Sequence, residues 1–150
     1  MGNMLLHPTV DSPIFVRKAL DLAESTGMSS VQAAATYHDM AVLHSRLKTP
    51  DLAKIIKLYQ ESLQLAPDRA LTQESLGLTL AVASRHREAL THLREAQRLG
   101  RDTPELHNGL GAIFFEEQRW RQASKSFRRA IDLRPGWSEP LENLRAVEVA

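Results

Sequence analysis

Apolar residues recur at three- and four-residue spacings from about residue 13 to residue 148, and no stretch alternates apolar with polar positions as a half-buried strand would. The spacing predicts helices throughout, over about 13–25, 30–47, 51–65, 69–83, 86–99, 104–117, 120–133 and 139–148. Proline and hydroxyl pairs punctuate the pattern. Ser12-Pro13, Thr49-Pro50 and Thr103-Pro104 each read as an N-cap followed by proline at the first helical position, where the missing N–H costs nothing. Ser138 is a fourth cap candidate, and Ser29 or Ser30 a fifth. The intervening loops are short, so consecutive helices are expected to pair antiparallel as hairpins.

A longer period runs over this helical one. Leu76-Gly77, Arg85, Arg87, Ala89, Arg94, Ala96 and Leu99 return 34 residues later as Leu110-Gly111, Arg119, Arg121, Ala123, Arg128, Ala130 and Leu133. Self-similarity at such a period marks a repeat architecture, in which each unit buries its apolar face against its neighbours. The small residues have a packing reason. Gly77 and Gly111 let the partner helix of each hairpin come close, and Ala89, Ala96, Ala123 and Ala130 do the same from the other side. Leu76, Leu80, Leu93, Leu110, Phe114 and Phe127 then fill the space beside each crossing, so nearly every large apolar residue reads as core.

The segment Leu110-Gly111-x-x-Phe114, Ala123-x-x-x-Phe127-x-x-Ala130 and Pro135 resembles the tetratricopeptide repeat, with His107 where that family often has Trp. The preceding unit fits through Leu76-Gly77, Leu80, Ala89, Leu93 and Ala96, with Arg101 where proline is usual. An earlier unit is degenerate: Tyr37, Met40-Ala41 and His44 fit its first helix, while Ile55, Tyr59, Ser62 and Pro67 fit the second if the turn carries two extra residues. The resemblance covers about residues 34–150. It implies an all-α fold of antiparallel helix hairpins stacked as a right-handed superhelix (an α-solenoid), with an extra N-terminal helix and a C-terminal capping helix. The organisation expected is one domain, 1–150. Within it lie the N-terminal helix 13–25, a degenerate repeat 34–69, repeats 70–103 and 104–137, and a capping helix 138–150 with Leu141 and Leu144 in core positions.

The resemblance also implies a site. In such arrays the first helix of each hairpin lines a concave groove that takes a peptide. Carried over position by position, the groove residues are His38, Asp39 and Val42 in the degenerate unit, and Leu71, Glu74, Leu78 and Val82 in the next. The third unit supplies Glu105, Asn108, Ala112, Phe115 and Glu116, and the terminal helix Glu142. Members that hold acidic chaperone tails use Lys, Asn and Arg at these places. Here only Asn108 and Arg46 are comparable, so that ligand is not expected. The groove is apolar in the middle and acidic toward the C-terminal side, which suits an amphipathic helix or extended peptide with apolar anchors and some basic residues. Phe115 is the leading anchor, because one of two adjacent helical aromatics must face away from the hairpin core. Cover from the N-terminal segment is the competing reading of Phe115. That segment is apolar on more than one face through Ile14, Phe15, Val16, Ala19, Leu20, Leu22 and Ala23, and so must be buried. It is expected to cap the first hairpin; folding into the groove or exchange between protomers are the alternatives.

Composition narrows the rest. The chain has 150 residues, a formal net charge of +1 and no cysteine, so disulfides, thiolate zinc sites and thiol nucleophiles are excluded together. The second-helix surfaces of the repeats are basic (Arg85, Arg87, Arg94, Arg98 and Arg101, then Arg119, Arg121, Lys125, Arg128, Arg129 and Arg134), but acidic residues (Glu88, Glu95, Asp132) are interleaved and no aromatic stacking stripe is seen. A solvated face is expected, an acidic partner surface is the alternative, and nucleic acid is not expected. No phosphate loop, dinucleotide fingerprint, Gly-x-Ser-x-Gly or His-Glu-x-x-His occurs. His38 and His44, like His86 and His92, are six apart, where ligands on one helical face need three or four. No cofactor, metal or catalytic group is expected. No apolar run approaches the roughly 20 residues of a membrane helix, and Met1–Pro13 lacks the form of a secretory signal, so a cytoplasmic location is expected. The function expected is a non-catalytic module that binds a partner protein. The alternative is a self-assembling scaffold, since the terminus Ala146-Val147-Glu148-Val149-Ala150 lacks a polar capping tail. Size and layout also resemble the secretion chaperones of this repeat type.

Overall fold

A computed structural model describes residue 21 and residues 24–150. The described helices are α1 (Ser30–Ser45), α2 (Leu52–Leu65), α3 (Ala70–Val82), α4 (His86–Arg98), α5 (Pro104–Glu116), α6 (Trp120–Leu133) and α7 (Ser138–Glu148), and no strand forms among the described residues. The all-α expectation holds, with ends within two residues of those read from the periodicity. The predicted N-terminal helix, with Ile14, Phe15 and their apolar neighbours, lies outside the described residues.

Most helix ends have an identifiable cause. Ser29 closes a capping box with Gln32: the Gln32 N–H donates to Ser29 Oγ at 3.2 Å and the Ser29 N–H donates to Gln32 Oε1 at 2.8 Å. Thr103 caps α5 by accepting from the Leu106 N–H, with Pro104 at the first helical position as predicted. Two cap expectations are corrected. Asp51, not Thr49, caps α2: its carboxylate accepts from the Lys54 N–H at 3.2 Å, a stronger acceptor nearer the helix. Ser138 is the first residue of α7 rather than its cap; Trp137 holds the cap position with no side-chain hydrogen bond.

The α3–α4 and α5–α6 turns are copies of one another. Ser84 and Gln118, one period apart, take positive φ of 60° and 58°. The next N–H in each case, from Arg85 or Arg119, donates back to the Leu80 or Phe114 carbonyl at 2.9 and 2.8 Å. That is the left-handed helix stop, here built on residues that carry a Cβ.

The chain divides into two compact units, Met1–Pro67 and Asp68–Ala150. In the first, α1 and α2 form a hairpin that buries Ala34 and Ala41 with Ile55, Tyr59 and Ser62. The Ser62 hydroxyl donates to the Ala34 carbonyl at 2.7 Å, and the His38 ring lies 5.3 Å from that of Tyr59.

In the second unit, α3/α4 and α5/α6 are successive hairpins, and α7 packs on α6 and α5. The glycine reading is borne out in detail. A Cβ on Gly77 would stand 2.7 Å from Leu93 Cγ, and one on Gly111 would stand 2.5 Å from Phe127 Cε1. Leu93 and Phe127 are fully buried, and each contributes about 1.5–3 kcal/mol from removal of its side chain from water. Gly109 makes a third close approach, to Leu78, where α3 meets α5. At the terminal helix one core expectation shifts. Leu144 is buried, but Leu141 is 42% exposed and Pro140 is buried in its place, because α7 begins at Ser138 and its inward face falls one residue earlier.

Candidate functional site

Within the second unit the first helices of the hairpins, α3 and α5, and the start of α7 enclose a concavity of about 510 Å³. Its wall on α3 is apolar, formed by Leu78, Ala81 and Val82. Its floor on α5 is kept low by Gly109 and Ala112. A Cβ at Gly109 would meet the terminal methyl of Leu78, so a larger residue here would require that side chain to swing aside. Val82 is 72% exposed, an apolar surface that the unit leaves open.

Polar groups are gathered at one side. Asn108 is buried on α5, and its side-chain amide donates to Glu139 Oε1 at 3.0 Å while its carbonyl oxygen accepts from the Asn143 side chain at 3.1 Å. This chain of bonds fixes the first turn of α7 against α5 and holds the Glu139 carboxylate at the cavity edge. Glu105 and Glu116 complete an acidic rim. Arg134 pairs with Glu105 at 2.5 Å, both half-exposed, whereas Glu116 makes no ion pair among the described residues.

Of the residues carried over from the repeat family, Leu78, Val82, Glu105, Asn108, Ala112 and Glu116 come together here. Others stand elsewhere. Phe115 lines a separate hollow of about 200 Å³ shared with Ala112, Glu116 and Asn143, and its ring packs edge-on against Trp120 at 5.3 Å. Phe114 turns inward under the Arg119 guanidinium, 4.7 Å from the ring centre, so the adjacent aromatics do point apart. Glu74 is buried: Arg101 and the Thr103 hydroxyl both donate to its carboxylate. Leu71 is exposed on α3 and Glu142 on α7, and neither lines the cavity. In the first unit His38 is buried against Tyr59, Asp39 is exposed and Val42 is half-exposed.

The sequence reading missed Trp137. Its ring lines the cavity beside Glu139 with the Arg134 guanidinium 5.4 Å over it. A tryptophan at a helix cap, where a small polar residue is usual, was the available signal. Among the described residues no group of three His, Asp or Glu side chains could hold a metal ion, and no helix is long and apolar enough to cross a membrane.

No protein-family model and no curated sequence matches the chain. Solved structures do. The TPR domain of Arabidopsis OM64 superposes with a TM-score of 0.75 at 15% identity, over 81% of this chain and 98% of that one. The first TPR of Spaghetti (RPAP3), solved bound to the HSP90 peptide SRMEEVD, gives 0.72 at 18% identity, over 79% and 93%. YrrB, described as a TPR protein with an unusual peptide-binding site, gives 0.68 at 19% identity, over 88% and 65%. The chain therefore has the fold of the tetratricopeptide-repeat domains.

Proposed function

We propose that this chain, with its tetratricopeptide-repeat fold, is a non-catalytic protein-interaction module that holds an apolar, basic peptide or helix in the α3–α5–α7 concavity. The observation that carries the reading is the make-up of that cavity: an open apolar wall ending in exposed Val82, opposite a rim of Glu105, Glu116 and Glu139. Apolar anchors against α3 supply the burial, and the carboxylates select cationic side chains beside them. The peptide seated in the Spaghetti domain, SRMEEVD, carries three acidic residues, and its charge would be repelled by this rim. A cavity of this size takes a few side chains, which suits a short motif rather than a folded surface.

The test uses fluorescence anisotropy with a labelled peptide of alternating Leu and Lys. Saturable binding that weakens about tenfold in Val82→Lys/Glu116→Lys supports the placement, a factor equal to roughly 1.4 kcal/mol. Equal binding by the wild type and that variant refutes it.

Self-assembly through the terminal helix has less behind it. Leu141 and Val149 are exposed there, but Glu142, Arg145 and Glu148 are exposed beside them and give that surface a polar cover.

A further inference from the structure

Helix α1 is apolar on more than the side that packs on α2. Ala34, His38 and Ala41 are buried in that hairpin. Well round the helix from them, Met40, Leu43 and Leu47 form a row at three- and four-residue spacing. They are 40%, 64% and 54% exposed. A contiguous row of large apolar side chains left in water is a surface built to be covered.

Helix α5 shows what such a row is for. Aligned on the small residue of the hairpin crossing, Ala41 in α1 and Gly111 in α5, Met40 corresponds to Leu110 and Leu43 to Ile113. The same alignment brings His38 onto Asn108, and both are buried. Leu110 and Ile113 are only 6% and 1% exposed. They share a side of α5 with Gly109, where Leu78 and Leu93 of the preceding hairpin come within 4 Å of the place a Cβ would take. The positions are therefore apolar in both helices because a preceding element packs on them. In α1 that element has not yet been identified.

The path of the chain into α1 identifies it. Residues 24 and 25 are helical, Gly27 takes a φ of 68°, and its N–H donates to the Glu24 carbonyl at 3.2 Å. The Ser29 capping box then starts α1. Only residues 26–29 join the two, and so short a link turns the earlier helix back antiparallel alongside α1. The stretch 13–25, read as helical from its periodicity, is about 20 Å long at 1.5 Å per residue and reaches from the Ser29 end to the level of Leu43. Counting outward from the turn sets Phe15 level with Met40, and Ala19 level with Thr36. Phe15, Val16, Ala19, Leu20, Leu22 and Ala23 fall within about half of the helical circumference, with Arg17, Asp21 and Glu24 opposite. One apolar stripe thus has the length, the direction and the tether to meet the other.

We propose that residues 13–25 dock antiparallel on the Met40–Leu43–Leu47 face of α1, in the place that a preceding hairpin would take. The segment then covers its own hairpin and leaves the α3–α5–α7 concavity open to a separate peptide.

The chain has no cysteine, so an introduced pair reports alone. In dilute full-length protein, Phe15→Cys/Met40→Cys or Phe15→Cys/Leu43→Cys should oxidise to an intramolecular disulfide, seen as a faster band on a non-reducing gel. Such a bridge needs Cβ atoms about 4 Å apart. Phe15→Cys/Val82→Cys, which probes the groove, should stay reduced. Trypsin gives a second reading. Leu43→Glu/Leu47→Glu should speed cleavage after Arg17 and Lys18 by about tenfold or more, because a docked helix must open locally before it is cut. Far-UV circular dichroism of that variant should retain the hairpin signal. A bridge to Val82 would put the segment in the groove, and a disulfide-linked dimer would mean exchange between protomers. Either overturns the proposal, as does the absence of a bridge in both of the first pairs or unchanged cleavage in Leu43→Glu/Leu47→Glu.

Discussion

Gly111→Ala isolates the hairpin crossing on which the second unit depends. An added methyl would sit 2.5 to 2.9 Å from three atoms of the Phe127 ring. Phe127 is 1% exposed and rigid, so neither ring nor helix can yield without disturbing the core around Ala123 and Ala130. Two terms of opposite sign compete. Alanine is the better helix former by about 1 kcal/mol. Overpacking of a full core costs typically 1–3 kcal/mol, and a clash with an aromatic ring belongs at the upper end. The net expectation is a destabilisation of about 2 kcal/mol, or roughly 8–16 °C in melting temperature for a unit of this size. The assay is urea unfolding followed by far-UV circular dichroism, run as a double-mutant cycle with Phe127→Leu. Removing ring atoms from the contact makes room for the methyl, so the double variant should be more stable than the sum of the single effects by about 1–2 kcal/mol. A neutral or stabilising Gly111→Ala, or a cycle that closes to zero, would refute the tight crossing.

Other outcomes rest on single residues. Gln118→Gly relieves a left-handed backbone worth about 1–2 kcal/mol, less the roughly 0.5–1 that glycine loses on ordering, so the urea midpoint should rise modestly. A lower midpoint would show the turn to be relaxed as it is. Burial holds the His92 imidazole below its ordinary value, with Glu88 opposing, while His92 Nδ1 lies 2.7 Å from Gln73 Oε1. The neutral ring is therefore favoured by folding. Its contribution is present above the unfolded value of about 6.5 and is lost as pH falls through the depressed folded value. In His92→Gln the loss of stability on acidification should be smaller than in the wild type, and an identical pH profile would contradict this. Burial also raises the Glu61 carboxyl, with Lys57 working the other way. That group favours folding only below the unfolded carboxylate range and becomes a liability as pH rises through its folded value. Glu61→Gln should accordingly stabilise at neutral pH, with the gain vanishing near pH of about 4. Urea midpoints at the two pH values check this, and a gain of equal size at both would count against it.

The repeat made the fold legible because one geometric demand was written twice. Gly77 and Gly111 must be small for the same reason, so their recurrence exposes the crossings in the sequence itself. What the period could not carry was any feature present once. Thr49-Pro50 resembled Thr103-Pro104, yet Asp51 stood closer to the first turn and took the cap. Leu141 looked like core by analogy, but the inward face of α7 runs through Pro140 and Leu144, and Leu141 is left exposed beside it. Pattern placed six cavity residues on one surface. It did not reveal that Glu74, at the matching repeat position to Asn108, would be buried under Arg101 and Thr103, because a long-range ion pair leaves no local trace. It also had no means of pairing the arginines, since a pair depends on which carboxylate folding brings within reach.

Glu74 and Asn108 also bear on how such a chain could grow. Residues 70–103 hold Glu74 together with both of its partners, Arg101 and Thr103, in a single 34-residue piece. Residues 104–137 do not. Asn108 depends on Glu139 and Asn143, which belong to α7, beyond that piece. With the two pieces exchanged, Asn108 would meet Leu71 and Ser75 at those places, and a buried amide would lose the partners that satisfy it. The units are alike in shape yet ordered like words in a phrase. A duplication could copy the first piece with its buried pairs intact, whereas the second needs a following helix that carries the equivalents of Glu139 and Asn143.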